Sequence, residues 1–308
     1  AALTVPEAII REEGPLEPHA YYRNQSLSSR VVGFDPEPEE HLRRVEAAIG
    51  TIETSKLEKV VLARAVDIEF PEAIDPRLVA ARLIDLSANR DGFIADLSPA
   101  GRPGAMLVGS SPEVLVKRQG STVSAFPLAG SSPRRALAAE DHLAGQDLLH
   151  SSKDLHEHAF VVDHLRRALT PLCERLDIPD VPQLISTNEM WHLGTPISGT
   201  LKDKDLTALE LALAVHPTPA ICGTPAEAAQ ALIETAETDR GFYAGAVGWC
   251  DSSGDGEYMV AIRCAEVAGD GLSARAWAGG GIVGDSDAQA ELEETTAKLR
   301  TILKALSL

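Results

Sequence analysis

The sequence predicts a single α+β domain built on large mixed or antiparallel sheets. Three observations lead there. Helix-like and strand-like stretches are interleaved without a regular βαβ beat, which argues against a doubly wound parallel sheet. Short β-branched runs between residues 92 and 128 are punctuated by Gly, Pro and Ser, the pattern of hairpins. The 308 residues are 44% hydrophobic and 24% charged, ordinary globular values, and no repeat or low-complexity linker divides them.

In chain order, the first forty residues are rich in Pro and Glu and weakly patterned. A helix is predicted over 37–54, ending around Gly50 or shortly after. KVVLARAVDIEF (59–70) alternates β-branched and small residues and reads as a strand. PRLVAARLIDL (76–86) reads as a helix. GFIADL (92–97), AMLVG (105–109), PEVLVKR (112–118) and STVSAFPL (121–128) are short strands. Leu155, Ala159, Val162, Leu165, Leu169 and Leu172 recur at steps of three and four, one apolar helical stripe. Pro and Thr break the chain between 179 and 225. FYAGAVGWC (242–250), the turn DSSGDG (251–256) and EYMVAIRC (257–264) form the clearest hairpin. A strand over 272–283 contains GGGIV, and Ala288, Leu292, Thr295, Leu299, Ile302 and Leu306 mark a last helix.

The net charge of −18 repels nucleic acid and anionic membranes, so neither is an expected partner. An anionic substrate would need local positive charge or a bound cation. The four cysteines, Cys173, Cys222, Cys250 and Cys264, form no C-x-x-C pair and match no zinc framework. Free buried thiols in a reducing cytoplasm are expected. No apolar run approaches a membrane span, and the N-terminus lacks the basic and apolar regions of a signal peptide.

The stretch SSKDLHEHAF (151–160) concentrates charge. On a helix Asp154 and Glu157, three apart, lie side by side. His156 and His158, two apart, point to different sides, so they cannot share one metal on that helix. In AELEETTAKLR (290–300), Glu291 and Glu294 are again three apart, with Lys298 one turn beyond Glu294. Two readings stand: salt-bridged surface faces, or two acid pairs that face each other as an oxygen-rich Mg²⁺ site. The run Gly279, Gly280 and Gly281 marks either a bulge or a close approach to the backbone. Arg263 ends an apolar strand, near the level of Tyr243 at the start of the partner strand. It is either a strand-end arginine in water or half of a carboxylate grip. Lys59 opens a strand and Glu113 follows a Ser-Pro turn; nothing local distinguishes either from plain surface.

These positions sit in blocks that together resemble the chorismate-utilising enzymes, and within them the isochorismate synthases. The blocks include EKVVLARA (58–65), GSSPEVLVKR (109–118), FPLAGSSPR (126–134), SSKDLHEHAFVVD (151–163), PQLISTNEMWHLGTPISG (182–199), HPTPAICGTP (216–225), AGGGIV (278–283) and ELEETTAKL (291–299). The resemblance implies a single domain of two large packed, mostly antiparallel sheets with helices outside. It implies Mg²⁺ held by Glu157 and Glu294, with Asp154 and Glu291 as outer acids. Lys59 matches the lysine that activates water, and Glu113 the acid that protonates the departing C4 hydroxyl. Arg263 and Tyr243 match the grip on the enolpyruvyl carboxylate. Gly130, Ser131, Gly279, Gly281 and Lys298 match further substrate contacts, and Ala220 and Ile221 the pocket wall.

The implied activity is conversion of chorismate to isochorismate, by water addition at C2 and loss of the C4 hydroxyl. Glu113 must then act protonated and Lys59 neutral, and one closed, buried cleft favours both states. A lysine at position 59 points to water rather than ammonia as nucleophile. That argues against anthranilate and aminodeoxychorismate synthases, so no glutaminase subunit and a monomer are expected. Salicylate synthase, which goes on to eliminate pyruvate, is the alternative; HPTPAICG is closer to the isochorismate synthase version of its block. A non-catalytic chorismate-binding protein would lack the base or the acid, and both are present. The product would feed catecholate siderophore, salicylate or menaquinone synthesis. The resemblance runs from about residue 55 to the C-terminus, so 1–54 is expected as a poorly matched N-terminal segment before a chorismate-binding domain at 55–308. Family members often carry a longer N-terminal sheet there.

Overall fold

A computed structural model describes residues 1–10, 26–87 and 91–308. Its centre is β2 (Lys59–Glu69), an apolar strand buried on both faces over most of its length. β1 (Arg30–Asp35) pairs with one edge of β2, and β16 (Ser273–Ile282) pairs with the other along its whole length. The sheet continues through β15 (Cys264–Val267), β4 (Met106–Gly109) and β3 (Phe93–Asp96), and the short β12 (Gly223–Thr224) also joins β2. A six-stranded sheet has the order β13 (Ala246–Cys250), β14 (Gly256–Val260), β5 (Val114–Gln119), β6 (Thr122–Phe126), β11 (Ile197–Leu201), β8 (Cys173–Asp177). Beside the two large sheets expected from the sequence there is a third, of three strands in the order β7 (Leu128–Pro133), β10 (Met190–Gly194), β9 (Gln183–Ser186). Every strand pairing among the described residues is antiparallel.

The alternation along β2 sorts the core. Ala63 and Ala65 face the six-stranded sheet, packing with Leu115, Val123 and Ile197, and with Val161 and Leu165 from a helix. Val66 and Ile68 face the other way, onto α2 (Pro76–Leu86) and α7 (Ala288–Ala305), which contribute Leu83, Leu299 and Ile302. Val60 and Leu62 continue that outer face against Val45 and Ala48 of α1 (Pro38–Thr54) and Ala229 of α6 (Ala226–Ala236). Thus β1 and α1, although they precede residue 55, are built into the central sheet and its helical cover.

Two predicted strands differ in extent for one reason: the chain changes sheets within them. STVSAFPL ends as β6 at Phe126, and Leu128 already belongs to β7 of the small sheet. EYMVAIRC ends as β14 at Val260, crosses at Ala261–Arg263, and re-enters the large sheet as β15 at Cys264. Arg263 lies at the crossover with φ +50°, a left-handed conformation uncommon for a residue with a side chain. Its predicted partner Tyr243 also lies outside the hairpin, in the turn before β13. Three helices carried no prediction: α3 (Ala138–His150), α5 (Ala208–Val215) and α6. The four cysteines are unpaired. Among the described residues no helix is long and apolar enough to cross a membrane.

Candidate active site

The first residue of β2, the glycines of β16 and two helices build the centre of the site. α4 (Ser152–Leu169) starts at Ser151, whose hydroxyl accepts from the Asp154 N–H and so caps the helix. Its buried face runs through Glu157, His158, Val161, Leu165 and Leu169, so Glu157 stands on the apolar stripe itself, while Ala159 is exposed. On α7, Glu291 and Glu294 share the buried face with Thr295, Ala297 and Ile302. The surface reading of both acid pairs is therefore excluded for Glu157, Glu291 and Glu294, which are 7%, 2% and 8% exposed.

The glycine run explains how these acids come so close to a strand. The register of β16 on β2 is unbroken from Ser273 to Ile282, so there is no bulge. A Cβ on Gly281 would stand 2.1 Å from Oε1 of Glu157, and one on Gly280 would stand 3.0 Å from Oε2 of Glu291. Close approach is the reason for the glycines.

Three lysines interleave with the acids. Nζ of Lys59 lies 3.0 Å from Oε1 of Glu157. Nζ of Lys153 donates to Oε1 of Glu291 at 2.9 Å and lies 3.8 Å from Oδ1 of Asp154. Nζ of Lys298 donates to Oε1 of Glu294 at 2.5 Å and to the Gly279 carbonyl at 3.0 Å. Among the described residues no three His, Cys, Asp or Glu side chains are placed so that they could hold a metal ion together. The donor set is nevertheless the hard oxygen set that Mg²⁺ takes. Oε2 of Glu291 is buried with no hydrogen-bond partner, an orphan oxygen that calls for a cation or water. Burial and the charge of Glu294 raise the Glu291 carboxyl to about 7. Burial also raises Asp154. At Glu157 burial acts in the same direction, but the charges of Lys59 and Lys153 outweigh it and hold the carboxyl below its usual value. The two histidines of this stretch are separate, as their spacing requires. His156 packs on Phe160, and His158 is buried against the Ala129 carbonyl and the Thr195 hydroxyl.

Beside this cluster opens a cleft whose empty space, with the open solvent at its mouth included, is about 680 Å³. Glu113, Gly130, Ser131, Glu157, Ala220, Ile221, Tyr243, Arg263, Gly279, Gly281 and Lys298 all line it. Lys59, Asp154, Glu291 and Glu294 are not part of the lining; Lys59 is fully buried behind Gly281, whose added Cβ would lie 3.0 Å from its Cε. Glu113 is 3% exposed, and burial lifts its carboxyl to about 7 against the opposing Leu128 N–H and the charge of Lys59. Arg263 is 5% exposed, so the reading of a strand-end arginine in water fails. Among the described residues it has no acid partner; its Nη2 meets Nε2 of His192 at 3.3 Å. Burial, then the charge of Arg263, push His192 well below its ordinary value, so the imidazole is neutral. A buried guanidinium facing a neutral ring into a cleft is suited to an incoming carboxylate. Tyr243 stacks on Trp277 with centroids 5.9 Å apart, and burial raises its hydroxyl pKa.

Sequence reasoning missed Lys153, His192 and Trp277. Lys153 carried a usable signal: it precedes Asp154 and stands one turn before Glu157. His192 and Trp277 lie in strands where only the tertiary fold turns them into the cleft.

A model described as chorismate binding enzyme matches residues 9–307. The chain belongs to the chorismate-binding enzyme family. Among its chorismate-binding relatives, the isochorismate synthase DhbC of Bacillus subtilis is 44% identical over 310 residues, 99% of this chain and 77% of that protein. The isochorismate synthase EntC of Escherichia coli K12 is 38% identical over 312 residues, 100% of this chain and 78% of that one. The crystal structure of DhbC from Bacillus anthracis superposes with a TM-score of 0.85 at 41% identity, over 92% of this chain and 75% of that chain. The relationship of the chorismate-binding family thus extends through the segment before residue 55.

Proposed function

We propose that this chorismate-binding enzyme is a Mg²⁺-dependent isochorismate synthase. The observation that carries the reading is a buried, protonatable carboxyl in the cleft wall, Glu113, with a buried amine, Lys59, directly behind Gly281 of the same wall. The names of the relatives support the choice within the family. Lys59, in its neutral form, takes a proton from a water that bonds to C2 of the chorismate ring. The ring double bonds shift, and the C4–O bond breaks as Glu113 gives its proton to the departing oxygen. One water enters and one leaves, so the net change is an isomerisation. Arg263 and Tyr243 hold the enolpyruvyl carboxylate, while Gly130, Ser131 and the Gly279–Gly281 backbone fix the ring against the wall at Ala220 and Ile221. Glu157 and Glu294, with Asp154 and Glu291 outside them, would hold Mg²⁺, which supplies positive charge for the ring carboxylate. Lys59 acts as a base only when its contact with Glu157 is relieved.

The test is a product assay on the purified protein with chorismate and Mg²⁺. Isochorismate without pyruvate is expected, and chelation of Mg²⁺ should abolish it. Salicylate with pyruvate, or anthranilate when ammonium is supplied, would overturn the proposal.

A further inference from the structure

One lysine of the site has no part in that chemistry. Lys153 enters the acid cluster from the first turn of α4, and all four acids act on it electrostatically: Glu291, Glu157, Glu294 and Asp154. With Lys59 and Lys298 it nearly balances their charge. The three lysines are not held alike. Lys59 is fully buried, and Lys298 is tied to the Gly279 carbonyl as well as to Glu294. Lys153 has a side chain 23% exposed, and only carboxylates hold its ammonium. Of the three it is the one free to leave. Ser286 donates to the same oxygen of Glu291, Oε1, at 2.8 Å, so that oxygen keeps a partner if Lys153 departs. Oε2 beside it is the orphan. Two further positive charges cannot join this cluster without repelling the ammonium already there.

We propose that Lys153 is the resident counter-cation of the acid cluster: its ammonium balances the buried carboxylates and gives way when a divalent cation binds. This rests on the cation site proposed above. Lys153 thereby weakens Mg²⁺ binding to the free protein and keeps the empty cluster from destabilising the fold.

Titration calorimetry with MgCl₂ in the absence of chorismate, together with Tm with and without Mg²⁺, tests it on three variants. Lys153→Gln drops the charge but keeps a donor for Glu291. Lys153→Met drops both, and Lys153→Arg keeps the charge. The two neutral variants should melt lower than wild type when metal-free, gain more Tm from Mg²⁺, and bind it roughly tenfold tighter or more, as removal of a like charge from a buried site implies. Lys153→Arg should bind Mg²⁺ as wild type does. If Lys153→Gln binds Mg²⁺ as wild type does or more weakly, the proposal is wrong and Lys153 only orients Glu291. If neither wild type nor any variant binds Mg²⁺, the cation site itself is wrong, and the proposal with it.

Discussion

At the scale of single residues, burial without full compensation organises this site. Glu113 has a carboxyl near 7 because the cleft wall strips it of water. In the proposed role of proton donor, a carboxyl with that value carries its proton up to about neutral pH and loses it above. For the ligand-free enzyme, kcat/KM should therefore fall on the alkaline side of about 7. Glu113→Gln has no proton to give and should lose turnover by roughly 10²–10⁴-fold with its far-ultraviolet circular dichroism unchanged; near-full activity would remove Glu113 from its role. The same shift has a sign for stability. Glu113 and Glu291 are raised to about 7 in the fold, while an unfolded chain ionises them near the ordinary glutamate value of 4.5. Below that value both states hold the protons and there is no penalty. As pH rises through the interval the unfolded state releases protons that the fold retains, and stability declines until about 7. Metal-free protein should therefore show a Tm that drops between pH 5 and pH 7, less steeply in Glu113→Gln. A rising Tm over that range would mean that neither carboxyl is desolvated as described.

At the scale of elements, the glycines show what a sequence discloses and what it withholds. The run at 279–281 was legible as an anomaly in a strand, but a bulge and a close approach leave the same letters. Only the helices carrying Glu157 and Glu291 decide between them. Gly281→Ala should disrupt the Lys59–Glu157 pair and lose most activity, since its Cβ lands on a carboxylate oxygen. Gly50 is the opposite case. Its presence suggested a helix end, yet α1 continues through it to Thr54, and an added Cβ there meets nothing within 4 Å. Gly50→Ala should therefore stabilise the protein by about 0.5–1 kcal/mol, read as a shift in denaturation midpoint; a loss of stability would show that α1 does not continue through this position. The long periodic helices α4 and α7 and the central strands were legible because their apolar repeats exceed several turns or pleats. α5 and α6 were hidden among Pro and Thr, and α3 has only Asp141, Gly145 and Leu148 buried, too little apolar repeat to signal a helix. Tyr243 and Arg263 were found as residues but misplaced as strand positions: alternation persists through Ala261–Arg263, where the chain passes from one sheet to another, and the apolar pattern before β13 runs back into the turn that holds Tyr243.

At the scale of the whole molecule, charge and site pull in opposite directions. The protein carries −18, and the family's substrate is a dianion, so the long-range field opposes encounter. The positive groups that would receive it, the buried Arg263 and the half-buried Lys298, line the cleft and act only at short range. Salt screens the first interaction far more than the second, because the surface charges face water and the cleft groups do not. At saturating Mg²⁺, kcat/KM for chorismate should therefore rise, by about twofold or more, as KCl increases from roughly 0.02 to 0.2 M. The rise should appear in KM and leave kcat level, since the chemistry happens after the substrate has left the surface field. A kcat/KM that falls steadily over the same range would mean that the cleft's own cations already govern the approach, and that the acidic surface is electrostatically remote from the mouth.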